Sequence, residues 1–233
     1  MTKKINYIYI NDRKIIVLID WLSHKFMSLK EAKYNFVVEV ATKLLMQNSI
    51  SDVTIKDIAD KAGVGEATIY RYFNKKESIV IACVMMLQNN VSQNYFNLQQ
   101  GKTGYEKLEI FYNSYLEIFK DSPDYFYFIK EFDAYMYMQH PSSLKTYEKE
   151  IDKYRQDFLD AYELGVQDGS IEPVKNVDVF YYSTTHSLME LCKKLSINRA
   201  LLTQDKTIKK AAEIQCLIKL ILKSLKTNER EKN

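Results

Sequence analysis

The side chains best able to do chemistry lie in one short segment. Glu66, Ala67, Thr68, Arg71 and Tyr72 fall on one side of Glu66–Phe73, and Ile69 and Phe73, four positions apart, fall on the other. A carboxylate, a methyl, a hydroxyl, a guanidinium and a phenol make a surface that donates, accepts and packs. They do not make a nucleophile with its base. The neighbouring elements fit a recognition role. Ile55, Ile58, Ala59 and Ala62 sit at i, i+3, i+4 and i+7, one face of a helix. Gly63-Val64-Gly65 ends that helix, because glycine tolerates the left-handed backbone that a sharp turn requires. Glu66–Phe73 is too short to be stable alone and must pack through Ile69 and Phe73. A helix, a tight glycine turn and a second short helix have the layout of a helix-turn-helix, whose second helix enters the DNA major groove.

The same residues resemble the helix-turn-helix of TetR-family transcriptional regulators. The likeness rests on Thr54, Asp57-Ile58-Ala59, Ala62-Gly63-Val64, Thr68, Tyr70, Tyr72-Phe73 and Lys76-Glu77, all in register over 24 positions. It extends from about Phe36 to about Val84 and does not cover the remainder of the chain at the residue level.

The resemblance places the recognition helix at Glu66–Phe73. Ala67, Thr68 and Arg71 are then the candidates for base edges, since Arg pairs bidentately with guanine and a methyl suits the thymine methyl. Glu66 has two readings: an acceptor for cytosine N4, or a charge that favours the helix dipole. Thr54, Tyr70, Tyr72 and Lys76 are expected at phosphates, which position the protein without reading sequence. Core packing is the other reading of Tyr70. Gly65 stands where the family often has Ser, so capping there is weaker and one hydroxyl contact to phosphate is missing.

Stepping outward along the chain, helices are expected throughout, and the fold class is all-α. Over 28–46, Phe36, Val37, Val40, Ala41, Leu44 and Leu45 make a stripe that packs on the motif helices. Thr54 with Asp57, and again Asn74 with Glu77, have the spacing of a capping box. A very apolar fourth helix follows over 75–88. Beyond it, helices are expected over 105–119, 124–138 after Pro123, and 144–167, with Gly165 fraying the last turn and Asp168-Gly169-Ser170 ending it. Two further helices open at Val177 and Thr207 and close at Leu195 and Leu225. Ser183 and Ser187 would let another helix approach closely. The resemblance implies that these last two helices form a homodimer interface with their symmetry mates. The alternative is burial in their own domain.

Aromatic residues are the second informative feature. The chain has 18 Tyr and 11 Phe, and Tyr125, Phe126, Tyr127, Phe128, Phe132, Tyr135 and Tyr137 fall within 13 positions. No single helix face holds them all, so some are expected in a core and some around a cavity for a small molecule. The expected lining is Phe128, Phe132, Tyr154, Phe158, Tyr182 and His186, with Glu131, His186 and Glu190 as its polar groups. A carboxylate beside aromatic faces would favour a cation. For each aromatic and for His186, an ordinary core or interface position is the competing reading.

Composition sets limits. The net charge of +3 lies entirely in residues 1–26, and the rest of the chain is balanced. A nucleic-acid surface must therefore be local, as the cluster Arg71, Lys75, Lys76 allows. Cys83, Cys192 and Cys216 lack metal-type spacing and are expected as buried thiols in a reducing cytoplasm. His24, His140 and His186 have no metal-ligand neighbours, and no glycine-rich phosphate loop or nucleophile elbow is present. No enzyme, cofactor or metal is expected, and no apolar run suits a membrane span. Residues 1–26 have two readings, a native arm that grips DNA or an extension that precedes a true start at Met27; the second is favoured. The expected organisation is 1–26 extension, 27–88 DNA-binding domain with its connecting helix, 89–226 effector and dimerisation domain, and 227–233 charged tail. The expected function is a homodimeric repressor that binds a palindromic double-stranded DNA operator and is released by a small hydrophobic or aromatic effector. The alternative is the same DNA-binding fold controlled by a protein partner without such a ligand.

Overall fold

The computed structural model describes residues 28–139, 144–197 and 207–227, together with the backbone of 7–10 and 13–16. Met27, most of the extension, His24, His140 and the end of the charged tail lie outside the described residues. The fold is all-α, with one small addition. β1 (Tyr7–Ile10) and β2 (Arg13–Ile16) pair antiparallel, Tyr7 opposite Ile16 and Ile10 opposite Arg13. The helices are α1 (Leu29–Gln47), α2 (Ile55–Ala62), α3 (Glu66–Phe73), α4 (Lys76–Tyr95), α5 (Gly104–Asp121), α6 (Pro123–Gln139), α7 (Leu144–Gln167), α8 (Val177–Ser196) and α9 (Lys210–Leu225). A short 3-10 turn at Leu98–Gln100 precedes α5.

The chain forms two compact units. One comprises Met1–Asn90 and Tyr127–Tyr147, and the other Val91–Phe126 and Glu148–Asn233. Within the span expected as the effector domain, residues 127–139 and 144–147 pack with the first unit.

In the first unit, α1 begins with a capping box. Glu31 N donates to Ser28 Oγ at 3.2 Å, and Ser28 N donates to Glu31 Oε2 at 2.8 Å. The buried face of α1 is Val37, Val38, Ala41, Thr42 and Leu45. This differs from the expected stripe by a partial rotation, and Phe36 points out at 50% exposure. α1 packs on α2, and α2 on α3, over a core that contains Ile58, Ala59, Ile69 and Phe73.

In the second unit, α5 lies against α8 and α9, and α8 against α9. Gly104 opens α5 at a close crossing with the end of α7. A Cβ on Gly104 would overlap the backbone of Gly165, and a Cβ on Gly165 would overlap the Ile171 side chain. Gly165 is thus a site of close approach rather than a frayed turn. Asp168 strengthens the junction, with Oδ2 accepting from Gly104 N at 2.9 Å and Oδ1 from Ser170 N at 2.9 Å. Hydrogen bonding from the Ser170 side chain first, and then from the Gly104 N–H, holds its carboxyl below the usual range. The end of α9 is tied down by a bridge between Ile171 and Lys226 and by Glu172 N donating to Leu225 O at 2.8 Å.

Candidate nucleic-acid interface

The turn between α2 and α3 forms as its residues dictate. Thr54 caps α2: its Oγ accepts from Asp57 N at 3.1 Å, while Asp57 Oδ2 accepts from Thr54 N at 2.8 Å. Gly63 ends α2 in the left-handed conformation, φ 64°, and its N–H reaches back to Asp60 O at 3.2 Å. Gly65 precedes α3 without a side-chain cap, as the missing hydroxyl requires. Asn74 does not open α4 as the spacing with Glu77 suggested. It closes α3, at φ 62° and with its N–H on Tyr70 O at 2.9 Å. Glu77 instead accepts from Tyr135 OH at 3.3 Å.

α3 therefore turns Ile69 and Phe73 inward and leaves Glu66, Ala67, Tyr70 and Arg71 exposed, with Thr68 and Tyr72 half-buried. Tyr70 is 51% exposed, so core packing does not hold it. The Arg71 guanidinium lies 5.3 Å from the centroid of the Tyr72 ring, which limits its sweep without covering its donors. Tyr34 of α1 backs this end of α3, stacked on Phe73 at 4.7 Å and edge-on to Tyr72 at 6.3 Å. Tyr34 is not among the residues expected at this interface from the sequence. Its signal is the pattern Tyr34, Val37, Val38, Ala41 and Leu45, one helical face that begins a turn before the stripe first drawn.

The phosphate candidates divide. The Thr54 hydroxyl lies 2.7 Å from Asp57 Oδ2, and between a hydroxyl and a carboxylate the hydroxyl must give the proton. That proton is spent on the cap, and the remaining lone pairs are of no use to a phosphate oxygen. The same bonds hold the Asp57 carboxyl below its usual range. Lys76 keeps donors to spare. Its Nζ donates to Ser51 O at 3.2 Å and sits 5.3 Å from the centroid of the Tyr135 ring, half-buried; that burial lowers its pKa. An ammonium has three N–H groups, and one carbonyl takes one of them.

The eight residues expected around a ligand are divided between the two units. Phe128 and Phe132, both buried, stack 6.4 Å apart in the first unit. Glu131, in the same unit, accepts from Ser49 Oγ at 2.9 Å and pairs with Lys130 at 3.4 Å. In the second unit, Phe158 is fully buried, 5.6 Å from Phe111 and 5.0 Å from Tyr181, and the half-buried Tyr154 meets Phe96 at 4.8 Å. Tyr182, His186 and Glu190 are on the exposed side of α8, opposite the buried Tyr181, Thr185 and Leu188. The correction has a simple cause. Tyr181 and Tyr182 are adjacent, about 100° apart around the helix, and only one can face the core. Glu190 also pairs with Lys193 Nζ at 2.7 Å, and this removes the argument for a cationic ligand. Of the cysteines, Cys83 and Cys192 are buried and burial pushes both thiols up to about 12, whereas Cys216 is exposed, contrary to expectation. Among the described residues, no helix is long and apolar enough to cross a membrane.

Comparison with known proteins bears on this arrangement. Residues 37–83 match the family model described as bacterial regulatory proteins, tetR family. Over 56 residues the chain is 36% identical to the fatty acid metabolism regulator protein of Bacillus subtilis. That alignment covers 24% of this chain and 29% of the relative, so the chain matches under a third of the length of its curated relative. A TetR transcription regulator from Haloarcula marismortui has a similar solved structure, with TM-score 0.65 and 15% identity over 84% of this chain and 99% of that one. The transcriptional regulator FadR from Bacillus subtilis, solved in complex with stearoyl-CoA, has TM-score 0.58 and 18% identity over 82% of this chain and 98% of its own. At these identities the structural likeness is one of fold.

Proposed function

We propose that the chain, whose residues 37–83 match the model of bacterial tetR-family regulatory proteins, is a DNA-binding transcriptional regulator of that family and acts as a repressor. It binds a palindromic operator as a homodimer in the cytoplasm, and a small hydrophobic molecule releases it. One observation carries the reading: α3 buries Ile69 and Phe73 and leaves Glu66, Ala67, Thr68 and Arg71 on its open side. These are the side chains that can enter a major groove. Arg71 reads a guanine, Ala67 and Thr68 read methyl groups, and Tyr70, Tyr72 and Lys76 hold phosphates. Thr54 serves the interface by capping α2.

The mates meet through α8 and α9, where Val179 is 60% and Leu220 is 62% exposed in the single chain. Two-fold symmetry then makes the operator a palindrome. The effector class is proposed from the aromatic interior of the second unit and from the relatives, one named for fatty acid metabolism and one solved with stearoyl-CoA. A fatty acyl compound is the first candidate. Selection of duplexes from a random pool, followed by titration with stearoyl-CoA and free fatty acids, tests both halves. A selected site with dyad symmetry, from which an acyl compound displaces the protein, is the expected result. Selected sites without a dyad would overturn the dimeric reading.

A specific observation supports a second reading. Phe111, Tyr112 and Phe158 are fully buried against one another, and Tyr112 OH bonds Thr184 Oγ at 2.7 Å, as a satisfied core would have it. In that case the same head is controlled by a protein partner. Failure of every acyl probe to raise the melting temperature would favour it, since a ligand that binds the folded state must stabilise it.

A further inference from the structure

The first unit contains an arrangement that the interface residues alone do not explain. α6 presents Glu131 and Tyr135, four positions apart and so on one helical face, to the segments that flank the reading head. Glu131 Oε2 accepts from Ser49 Oγ at 2.9 Å, in the connection between α1 and α2. One turn on, Tyr135 OH donates to Glu77 Oε1 at 3.3 Å, and the Tyr135 ring lies 5.3 Å from the Lys76 ammonium. Lys76 is itself bonded to Ser51 O at 3.2 Å, in the same connection that Glu131 holds. The four contacts close a loop: α6 to the α1–α2 connection, that connection to Lys76, Lys76 and Glu77 to α6. All of them lie within one compact unit.

We propose that Tyr135 is a positioning residue for DNA binding, holding the Lys76 ammonium in place so that its remaining N–H groups point at a phosphate. This rests on the reading of Lys76 as a phosphate contact. A free lysine side chain is a flexible stem with about 2 kcal/mol of rotamer entropy to lose when it meets a phosphate. Here the carbonyl of Ser51 and the face of Tyr135 immobilise it beforehand. The ring attracts the cation without taking an acceptor's share of its protons. Glu77 fixes the ring by accepting the phenol proton. Tyr135 touches no DNA itself; it acts through Lys76.

The test is a double-mutant cycle on the full-length protein, read by titration against operator and scrambled duplexes at several salt concentrations, with melting temperatures alongside. Tyr135→Leu keeps an apolar filler and removes both ring and hydroxyl. It should weaken binding to both duplexes alike, by roughly two- to five-fold, the size of a lost exposed-site cation–π contact. Tyr135→Phe keeps the ring and should lie closer to wild type. In a Lys76→Ala background, Tyr135→Leu should change neither affinity nor salt slope further, because its effect passes through the lysine. Persistence of the loss in that background, or its absence in the wild-type background, would overturn the proposal. If Lys76→Ala alone leaves binding and salt slope unchanged, the phosphate assignment on which the inference rests has failed instead.

Discussion

Arg71 and Lys76 stand five positions apart, and their surroundings assign them different work. Arg71 is exposed on α3 and braced by the Tyr72 ring, so its fork of donors is open. Lys76 is half-buried and already committed to Ser51 O. A guanidinium that reaches a base edge contributes discrimination, whereas an ammonium at a phosphate contributes affinity for any sequence. Arg71→Ala is therefore expected to cost about 1–3 kcal/mol on operator and to relax specificity at one base position per half-site. Lys76→Ala should weaken operator and scrambled duplex equally and reduce the salt slope by about one. Titrations of both variants against both duplexes, repeated over a range of salt, distinguish the two. Equal losses on the two duplexes for Arg71→Ala would move Arg71 to the phosphate class.

At the scale of elements, α3 shows how eight residues are kept helical when isolated helices of that length are not stable. Gly63 and Asn74 close the ends of α2 and α3 at positive φ, and Tyr34 stacks on Phe73 from α1. The crossing of α5 on α7 uses glycine differently. Gly104 has an ordinary backbone conformation but no room for a side chain, while Gly169 has φ 76° and open space around it. Gly104→Ala must push two backbones apart and should cost about 1–3 kcal/mol or more. Gly169→Ala meets no atom and carries only backbone strain, about 1 kcal/mol by the general cost of left-handed residues. Thermal melting of the two variants checks the order. An unchanged midpoint for Gly104→Ala would show that the crossing is looser than described.

For the whole molecule, the proposed dimer rests on what α8 and α9 leave exposed. Leu220 and Ile221 are neighbours on α9 with opposite fates: Leu220 is 62% exposed, and Ile221 is 6% exposed against its own unit. A charge at each position should therefore fail in its own way. Leu220→Glu places a carboxylate in the proposed contact between mates and should yield a folded monomer, because an unpaired charge is costly to bury there. Ile221→Glu buries the carboxylate inside the chain and should unfold or aggregate the protein. Sedimentation with circular dichroism separates the outcomes. A wild-type protein that sediments as a monomer at micromolar concentration would remove the two-fold argument and the palindrome with it.

The sequence by itself determined whatever depends on a few adjacent residues. The Thr54–Asp57 cap, the left-handed Gly63, the inward Ile69 and Phe73 and the ends of α7 follow from spacing and local hydrogen bonding, which act within one or two turns. The match of residues 37–83 to a family rests on the same short-range pattern. Tertiary structure decided the rest, because those choices lie between residues far apart in the chain. It chose the face of α1 on which Tyr34 rather than Phe36 is used, since only the partner helices say which of two apolar stripes is covered. It turned Gly165 into a crossing point by bringing Gly104 against it, 61 positions away in sequence. It also set Tyr135 on Lys76 and Glu131 on Ser49, and turned His186 and Glu190 to the surface. Composition marked those aromatics and carboxylates as notable, but a side chain's role depends on what lies opposite it, and local periodicity carries no information about that.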